Sequence, residues 1–416
     1  MTHFFGRRSD RRKYMISIAV LGYGTVGSGV VEVIEKNKDV IDKRAGEEIR
    51  VKYILDLRDF PGDPYADRVV HDVNIILQDP EVSIICETMG GNEPAFTYSM
   101  QALKAGKSVC TSNKELVANH GAELIRTAKE NSCNYLFEAS VGGGIPIIRP
   151  LNAALTAERI ELISGILNGT TNYILTRMAE EGSDFETSLK EAQEKGYAER
   201  NPEADVEGYD ACRKIAILAS LMTGKTVRYE EIYTEGITKI THEDFLYAHK
   251  MNQFIKLLAS VREVDGRYYA MVAPFLIGEK NPLHSVNDVF NAIFIRGNTL
   301  GDSMYYGRGA GKLPTASAVV SDVIDCAKHG RTHILCLWDE EKLSLCSIDG
   351  ASRRFFVRAK KGCEKEAESL FGAIEKVDAG LEGEFGFVTP AVTEKEFAEK
   401  SAALSGFISR IRVEED

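Results

Sequence analysis

The apolar run Met15–Leu21 leads directly into Gly22-Tyr-Gly24-Thr-Val-Gly27, and a helical pattern through Val30, Val33 and Ile34 follows. Few folds accommodate a strand, G-x-G-x-x-G and a helix in that order. The glycines permit a tight turn, and the N–H groups opening the helix then face an anion such as a pyrophosphate. Gly22, Gly24, Thr25, Val26 and Gly27 are therefore candidate cofactor contacts. Without the flanking strand and helix the same glycines would be a weak signal.

The alternation of strand and helix continues. A second strand over residues 51–57 ends in Asp56-Leu57-Arg58-Asp59. An acid here suits the ribose hydroxyls of NAD, and an arginine such as Arg58 suits the phosphate of NADP. Both are present, so the cofactor stays open between the two; Arg58 and Asp59 also fit a solvated loop. Strands over 82–86, 108–110 and 134–137 alternate with helices over 93–105 and 115–130. This pattern predicts an α/β, Rossmann-like nucleotide-binding domain over 15–145, with ligands held by loops at the carboxyl ends of its strands. Glu87-Thr88-Met89-Gly90-Gly91 and Thr111-Ser112-Asn113-Lys114 lie on such loops.

Glu138-Ala-Ser-Val-Gly-Gly-Gly-Ile-Pro146 closes that domain. Three glycines expose backbone carbonyls behind a carboxylate, a composition that suits a hard cation and equally a hinge. From about residue 150 the alternation stops. Strands over 159–167, 266–277 and 290–296 predict an α+β substrate domain over 146–309, whose sheet edge offers a contact for a second subunit. A glycine-rich segment, residues 305–317, then starts a helix to about Lys328.

Within the second domain lies AQEKGYAERNPEADVEGYDACRK, residues 192–214. Its acids (Glu194, Glu199, Glu203, Asp205, Glu207) sit on a loop punctuated by Gly196, Pro202 and Gly208, which becomes helical near Asp205. Asp210 and Lys214 are four apart and share a helical face that continues to Ile217 and Leu221. An acid and an amine thus lead into a helix apolar on every side, the mark of a buried one. Alone, the pair reads as a salt bridge; carboxylates gathered beside it suit an ammonium ligand.

The spacing closely resembles the signature of homoserine dehydrogenases: Ala192, Gly196, Tyr197, Ala198, Asn201, Pro202, Asp205, Val206, Gly208, Asp210 and Lys214 are in register. The E-T-M-G-G, S-N-K and Glu138 segments, residues 165–173 and residues 305–317 also resemble that family, in family order over about residues 15–330. The resemblance implies NAD(P)-dependent, reversible interconversion of L-aspartate 4-semialdehyde and L-homoserine, on the route to threonine, methionine and isoleucine. It implies Lys214 as principal acid/base and Lys114 as orienter or second donor, a division the residues also allow in reverse. It implies Glu199 and Asp210 as acceptors of the substrate ammonium. Thr88, Lys114, Gly196 and Gly311 become further cofactor contacts. Glu138 and the carbonyls of Val141, Gly143 and Ile145 become ligands of a structural monovalent cation, sodium or potassium. The resemblance also implies that residues 310–330 pack back on the first domain and complete it, and a homodimer or homotetramer is expected. Another amino-acid dehydrogenase of similar build, or a silent nucleotide-binding regulator, are the alternatives; the latter would have no reason to keep Lys114, Glu199, Asp210 and Lys214 together.

A net charge of −11 argues against nucleic acid or anionic membrane as partner. No apolar run approaches the ~20 residues that span a bilayer. The basic start, MTHFFGRRSDRRKYM, lacks the apolar stretch of a signal peptide, and Met15 is a possible true start. None of the eight cysteines forms C-x-x-C, which argues against zinc and for a reducing cytoplasm.

Residues 351–416 lie beyond the catalytic resemblance. A strand over 353–359, a helix over 363–376, strands near Val377 and over 384–388, a helix opened by the capping box Thr393-x-x-Glu396, and a strand over 407–413 give βαββαβ. That order is ferredoxin-like and resembles an ACT domain. Amino-acid-binding ACT domains usually carry Asp-x-Pro-Gly after the first strand; here Ala359-Lys360-Lys361-Gly362 keeps only the glycine. A module for subunit association, with weak or no response to threonine, is therefore expected.

Overall fold

The computed structural model describes residues 15–414. The basic lead-in before the first strand lies outside them, apart from Met15. Among the described residues no helix is long and apolar enough to cross a membrane.

Six parallel strands form the first sheet, in the order Val69–Val70, Glu48–Leu55, Met15–Leu21, Val82–Glu87, Ser108–Thr111, Tyr135–Leu136. This is the doubly wound order, with the strand order reversing beside Met15–Leu21. Alternate side chains serve opposite faces, as strand geometry requires. Ile18 and Val20 pack with the helices Thr25–Lys36 and Lys312–His329. Ala19 and Leu21 pack with Ala95–Lys104 and Lys114–Glu130. Lys312–His329 returns from the second half of the chain. Gly29 lets it come close, since a Cβ there would lie 2.8 Å from the Lys312 carbonyl oxygen.

A mixed sheet of eleven strands occupies the rest of the chain. Its central hairpin pairs Gln253–Val264 with Arg267–Gly278 along their whole length. Asp265 and Gly266, at φ 51° and 75°, make the turn, as the favoured two-residue hairpin requires. The strand Gln253–Val264 was not expected from the sequence. Ile255–Ala259 is buried without interruption, so the run carries no alternation to mark it. Gly301–Arg308 is also an unexpected strand, at the sheet edge, where Met304 and Tyr306 are exposed. Gly169–Glu181, Tyr209–Thr223 and His242–Lys250 pack against these strands.

The C-terminal elements are Ser352–Lys360, Glu364–Phe371, Glu375–Val377, Glu384–Val388, Glu394–Ala403 and Phe407–Val413, the expected βαββαβ order, with a further two-residue strand, Val392–Thr393, ahead of the second helix. Its first helix ends five residues earlier than the apolar spacing predicts, because Gly372 takes φ 85° after Phe371. The capping box at Thr393 and Glu396 is formed. The last strand also pairs in parallel with Arg267–Gly278, Phe275 opposite Arg412 and Leu276 opposite Val413. The two halves therefore share one continuous sheet.

Candidate active site

Helix Tyr209–Thr223 starts where Gly208, at φ 83°, turns the chain out of the short helix Glu203–Val206. The helix is buried around its first turns and carries Asp210 and Lys214 into the interior, 3% and 8% exposed. Lys214 Nζ donates to Asp210 Oδ2 and to the Leu167 carbonyl, at 2.8 Å each. Lys114, the first residue of Lys114–Glu130 on the nucleotide side, makes a close ion pair with the other oxygen of Asp210. Both lysines thus converge on one carboxylate across the junction of the two sheets. Asn168 joins them: its Nδ2 donates to Asp205 Oδ1 at 2.7 Å and to Asp210 Oδ2 at 2.9 Å. Its Oδ1 caps the following helix by accepting from Thr171 N at 2.8 Å.

The charges set each other. Burial pushes the Lys214 pKa down, and Lys114 adds to this, outweighing Asp210, so it lies below the ordinary lysine value. For Lys114 burial also pulls down, but Asp210 outweighs it and the pKa is raised. Burial alone would raise Asp210; Lys214 and Lys114 instead hold it well below the usual carboxylate range. Burial and the charge of Asp210 raise Asp205. Both oxygens of Asp210, expected to receive the substrate ammonium, lie against the two lysines and Asn168. Glu199 is exposed, and its carboxylate makes no hydrogen bond or ion pair among the described residues.

The glycine turn has the shape that a dinucleotide needs. Gly22 takes φ 91°. At Gly24 a Cβ would meet no protein atom within 4 Å, and Gly24 and Thr25 are exposed at the opening of Thr25–Lys36. A Cβ on Gly27 would lie 1.9 Å from the Gly22 carbonyl oxygen. Val26 is half-buried behind them. Thr88, expected to touch the cofactor, donates its hydroxyl to the carbonyls of Leu21 (3.0 Å) and Gly22 (2.8 Å) and pins the turn. Arg58, expected near a phosphate, lies against Asp56. Its Nε and Nη2 donate to Asp56 at 2.9 and 3.0 Å. Asp56 also accepts from Tyr23 N at 2.8 Å, inside the turn. Arg58 holds Asp56 well below the usual carboxylate range. Gly196 (φ 73°) and Gly311 (φ 123°) are exposed turn residues, the second opening Lys312–His329.

In the 138–146 loop the Glu138 carboxylate accepts from the N–H groups of Ile147 (2.6 Å), Ile148 (2.9 Å) and Arg149 (2.7 Å). It is thus committed chiefly to backbone donors. Gly143, at φ 56°, sits so close to the 308–310 segment that a Cβ would lie 2.3 Å from the Gly309 carbonyl oxygen. Among the described residues no three His, Cys, Asp or Glu side chains gather as a metal site. What the loop offers is carbonyls, the oxygen donors that a hard cation takes.

The family model for homoserine dehydrogenase matches residues 146–324, and that for the homoserine dehydrogenase NAD binding domain matches residues 22–138. The homoserine dehydrogenase of Bacillus subtilis is 41% identical over 76% of this chain and 74% of its own length. The chain belongs to the homoserine dehydrogenase family. The homoserine dehydrogenase of Helicobacter pylori is 38% identical over 87% of this chain and 86% of its own. A solved homoserine dehydrogenase from Thiobacillus denitrificans superposes with a TM-score of 0.88 at 34% identity, covering 96% of this chain and 98% of that one. A hyperthermophilic archaeal homoserine dehydrogenase mutant, solved in complex with NADPH, gives 0.64 at 31% identity over 75% of this chain and 97% of its own. As a member of the homoserine dehydrogenases, the chain is an NAD(P)-dependent oxidoreductase.

Two members of the lysine cluster are absent from the sequence-based set of site residues. Asn168 and Asp205 both stand inside segments that resemble the homoserine dehydrogenases. Asn168 before Gly-Thr-Thr reads locally as a helix cap, and Asp205 as one acid among many. The fold gives each a second task.

Proposed function

We propose that this chain interconverts L-homoserine and L-aspartate 4-semialdehyde with NAD or NADP, using Lys214 as the acid/base. The reading is carried by one observation. Lys214 is buried, bonded to Asp210, and lowered in pKa beside a second ammonium, Lys114. When bound, the nicotinamide supplies and accepts the hydride. In oxidation the Lys214 amine takes the proton of the homoserine hydroxyl. In reduction its ammonium returns that proton to the aldehyde oxygen. Lys114 stabilises the negative charge that this oxygen carries. Asp210 fixes the two amines, while Glu199 and Asp205 are the acids left to receive the substrate ammonium. The glycine turn, with Thr88 and Asp56 bracing it, seats the pyrophosphate. Arg58 neutralises Asp56 at the ribose edge, so a 2′-phosphate meets no bare carboxylate there.

The carbonyls of Val141, Gly143 and Ile145, with Glu138, hold a monovalent cation that stiffens the junction with residues 308–310. The exposed edge strand Gly301–Arg308 supports a homodimer, and the eight free cysteines support a reducing cytoplasm. The C-terminal βαββαβ unit is ACT-like and responds weakly or not at all to threonine, because Ala359 stands where an acid would hold that ligand.

The test mixes the full chain with homoserine and either NAD⁺ or NADP⁺ and follows the absorbance of the reduced cofactor, with and without threonine. Turnover with at least one cofactor, insensitive to threonine, is expected. Tight cofactor binding without turnover would instead indicate a nucleotide-binding regulator.

A further inference from the structure

The C-terminal unit grips one acid of the catalytic part. Arg410 donates from Nη1 to Glu235 Oε1 and from Nη2 to Oε2, at 2.8 Å each. Arg412 adds a bond from Nη1 to Oε2 at 2.7 Å. The Tyr233 hydroxyl donates to the same oxygen at 3.0 Å. Arg412 is 1% exposed and is itself held by Glu394, through Nε at 2.6 Å and Nη2 at 3.0 Å. Burial would raise the Glu235 pKa, but the two guanidiniums hold it at about 2. The carboxylate is therefore ionised, and its bonds are of the strong, charge-assisted kind.

The segment that Glu235 begins touches the chain between the two site acids. Glu235 N donates to the Val272 carbonyl and Ile237 N to the Val206 carbonyl, both at 2.8 Å. The Thr238 hydroxyl donates to Glu207 at 3.0 Å. Gly236 lies so close that a Cβ would stand 2.2 Å from the Val206 carbonyl oxygen. Val206 and Glu207 directly follow Asp205 and precede Asp210. Displacing residues 235–238 therefore displaces the backbone that carries both carboxylates.

We propose that Glu235 is a positioning residue for the dehydrogenase reaction: clamped by Arg410 and Arg412, it seats the 235–238 segment that fixes where Asp205 and Asp210 stand, and so makes catalysis depend on the C-terminal unit. This rests on the reading given under Proposed function.

The test uses the full chain. Glu235→Gln keeps the shape and removes the charge; Arg410→Lys keeps the charge and removes the two-pronged grip. Small misplacements of catalytic groups are costly, so kcat/KM for homoserine is expected to fall about tenfold in the first variant and about threefold in the second. The KM of the cofactor should stay within about twofold, which a general loosening of the fold would not allow. Hydrogen exchange followed by mass spectrometry needs no turnover. It should quicken in peptides over 203–210 and 233–238 and stay unchanged over 15–21 and 82–87. Kinetics like wild type in the folded variants overturn the proposal, whatever the exchange does. If Glu235→Gln does not fold, Arg410→Lys decides. If the wild-type chain does not oxidise homoserine, the dehydrogenase reading fails, and the exchange arm alone decides whether the clamp holds the acidic segment.

Discussion

A buried amine is a base only if its surroundings let it lose its proton. Lys214 has lost water, is opposed by Lys114 and is favoured as a cation by Asp210 and, less, by Asp205; the sum lowers its pKa. Lys114 stands at the edge of the same group with more water around it, and there Asp210 prevails. The two lysines are thus pushed apart in acidity, as acid/base pairs in active sites are. On the proposed assignment the neutral Lys214 amine is the working form in homoserine oxidation, so kcat/KM should rise with pH through its pKa. Lys114→Met deletes a like charge and raises that pKa, so the rising limb should move to higher pH. A pH profile of kcat/KM for homoserine checks this; an unmoved limb would place the base elsewhere. Lys214→Ala should lower kcat by about 10²–10⁴, the usual worth of a placed acid/base. Cofactor affinity, read by fluorescence titration, should hold. The pairing of Asp210 with Lys214 was legible because four residues is one helical step. Asn168 and Asp205 were not legible as site residues, since their meeting depends on a strand end reaching a helix 37 residues away.

The glycine turn shows which elements a sequence reveals and why. Strand, turn and helix are contiguous, so every requirement of the turn is written within residues 15–36. Gly24 and Gly27 make the distinction testable. A methyl group at Gly24 meets no protein atom, whereas at Gly27 it strikes the Gly22 carbonyl oxygen. Gly24→Ala should therefore melt like wild type and bind the reduced cofactor about tenfold more weakly, because the added methyl occupies the approach of the pyrophosphate. Gly27→Ala should lose stability as well, by the ~1–3 kcal/mol of an overpacked contact. Calorimetry alongside fluorescence titration separates the two. Unchanged affinity in Gly24→Ala would mean that the pyrophosphate lies elsewhere. By contrast, Gln253–Val264 hid itself by being buried on both faces. Arg58 and Thr88 were expected at the ligand because the motif says where they stand and not what else is within reach. What the fold adds is their partners within the protein, Asp56 for Arg58 and the Leu21 and Gly22 carbonyls for Thr88.

At the scale of the whole molecule the C-terminal unit is bound into the fold by more than its tether. The alternation in Phe407–Val413 announced a strand, but the burial of Arg412 requires a partner sheet that no local pattern names. Arg358 makes the same point. Its side chain, 5% exposed, donates to Asp244 at 3.0 Å and to Glu384 at 2.9 Å, and Asp244 is 1% exposed. A chain ending at residue 350 would lose the guanidiniums that pair with Asp244 and Glu235. It would also bare one side of Arg267–Gly278 and the face of Tyr247 that Phe356 covers at 5.1 Å. Domains are stable by only about 5–15 kcal/mol. The truncated chain should therefore accumulate mainly as insoluble protein, although every residue of the lysine cluster and the glycine turn is retained. Expression of residues 15–350 beside the full chain, with the soluble fraction and its melting curve measured, checks this. A soluble truncated chain that melts cooperatively and turns over homoserine like the full one would show the unit to be dispensable, and would leave the buried arginines of the last strand without a role in the fold.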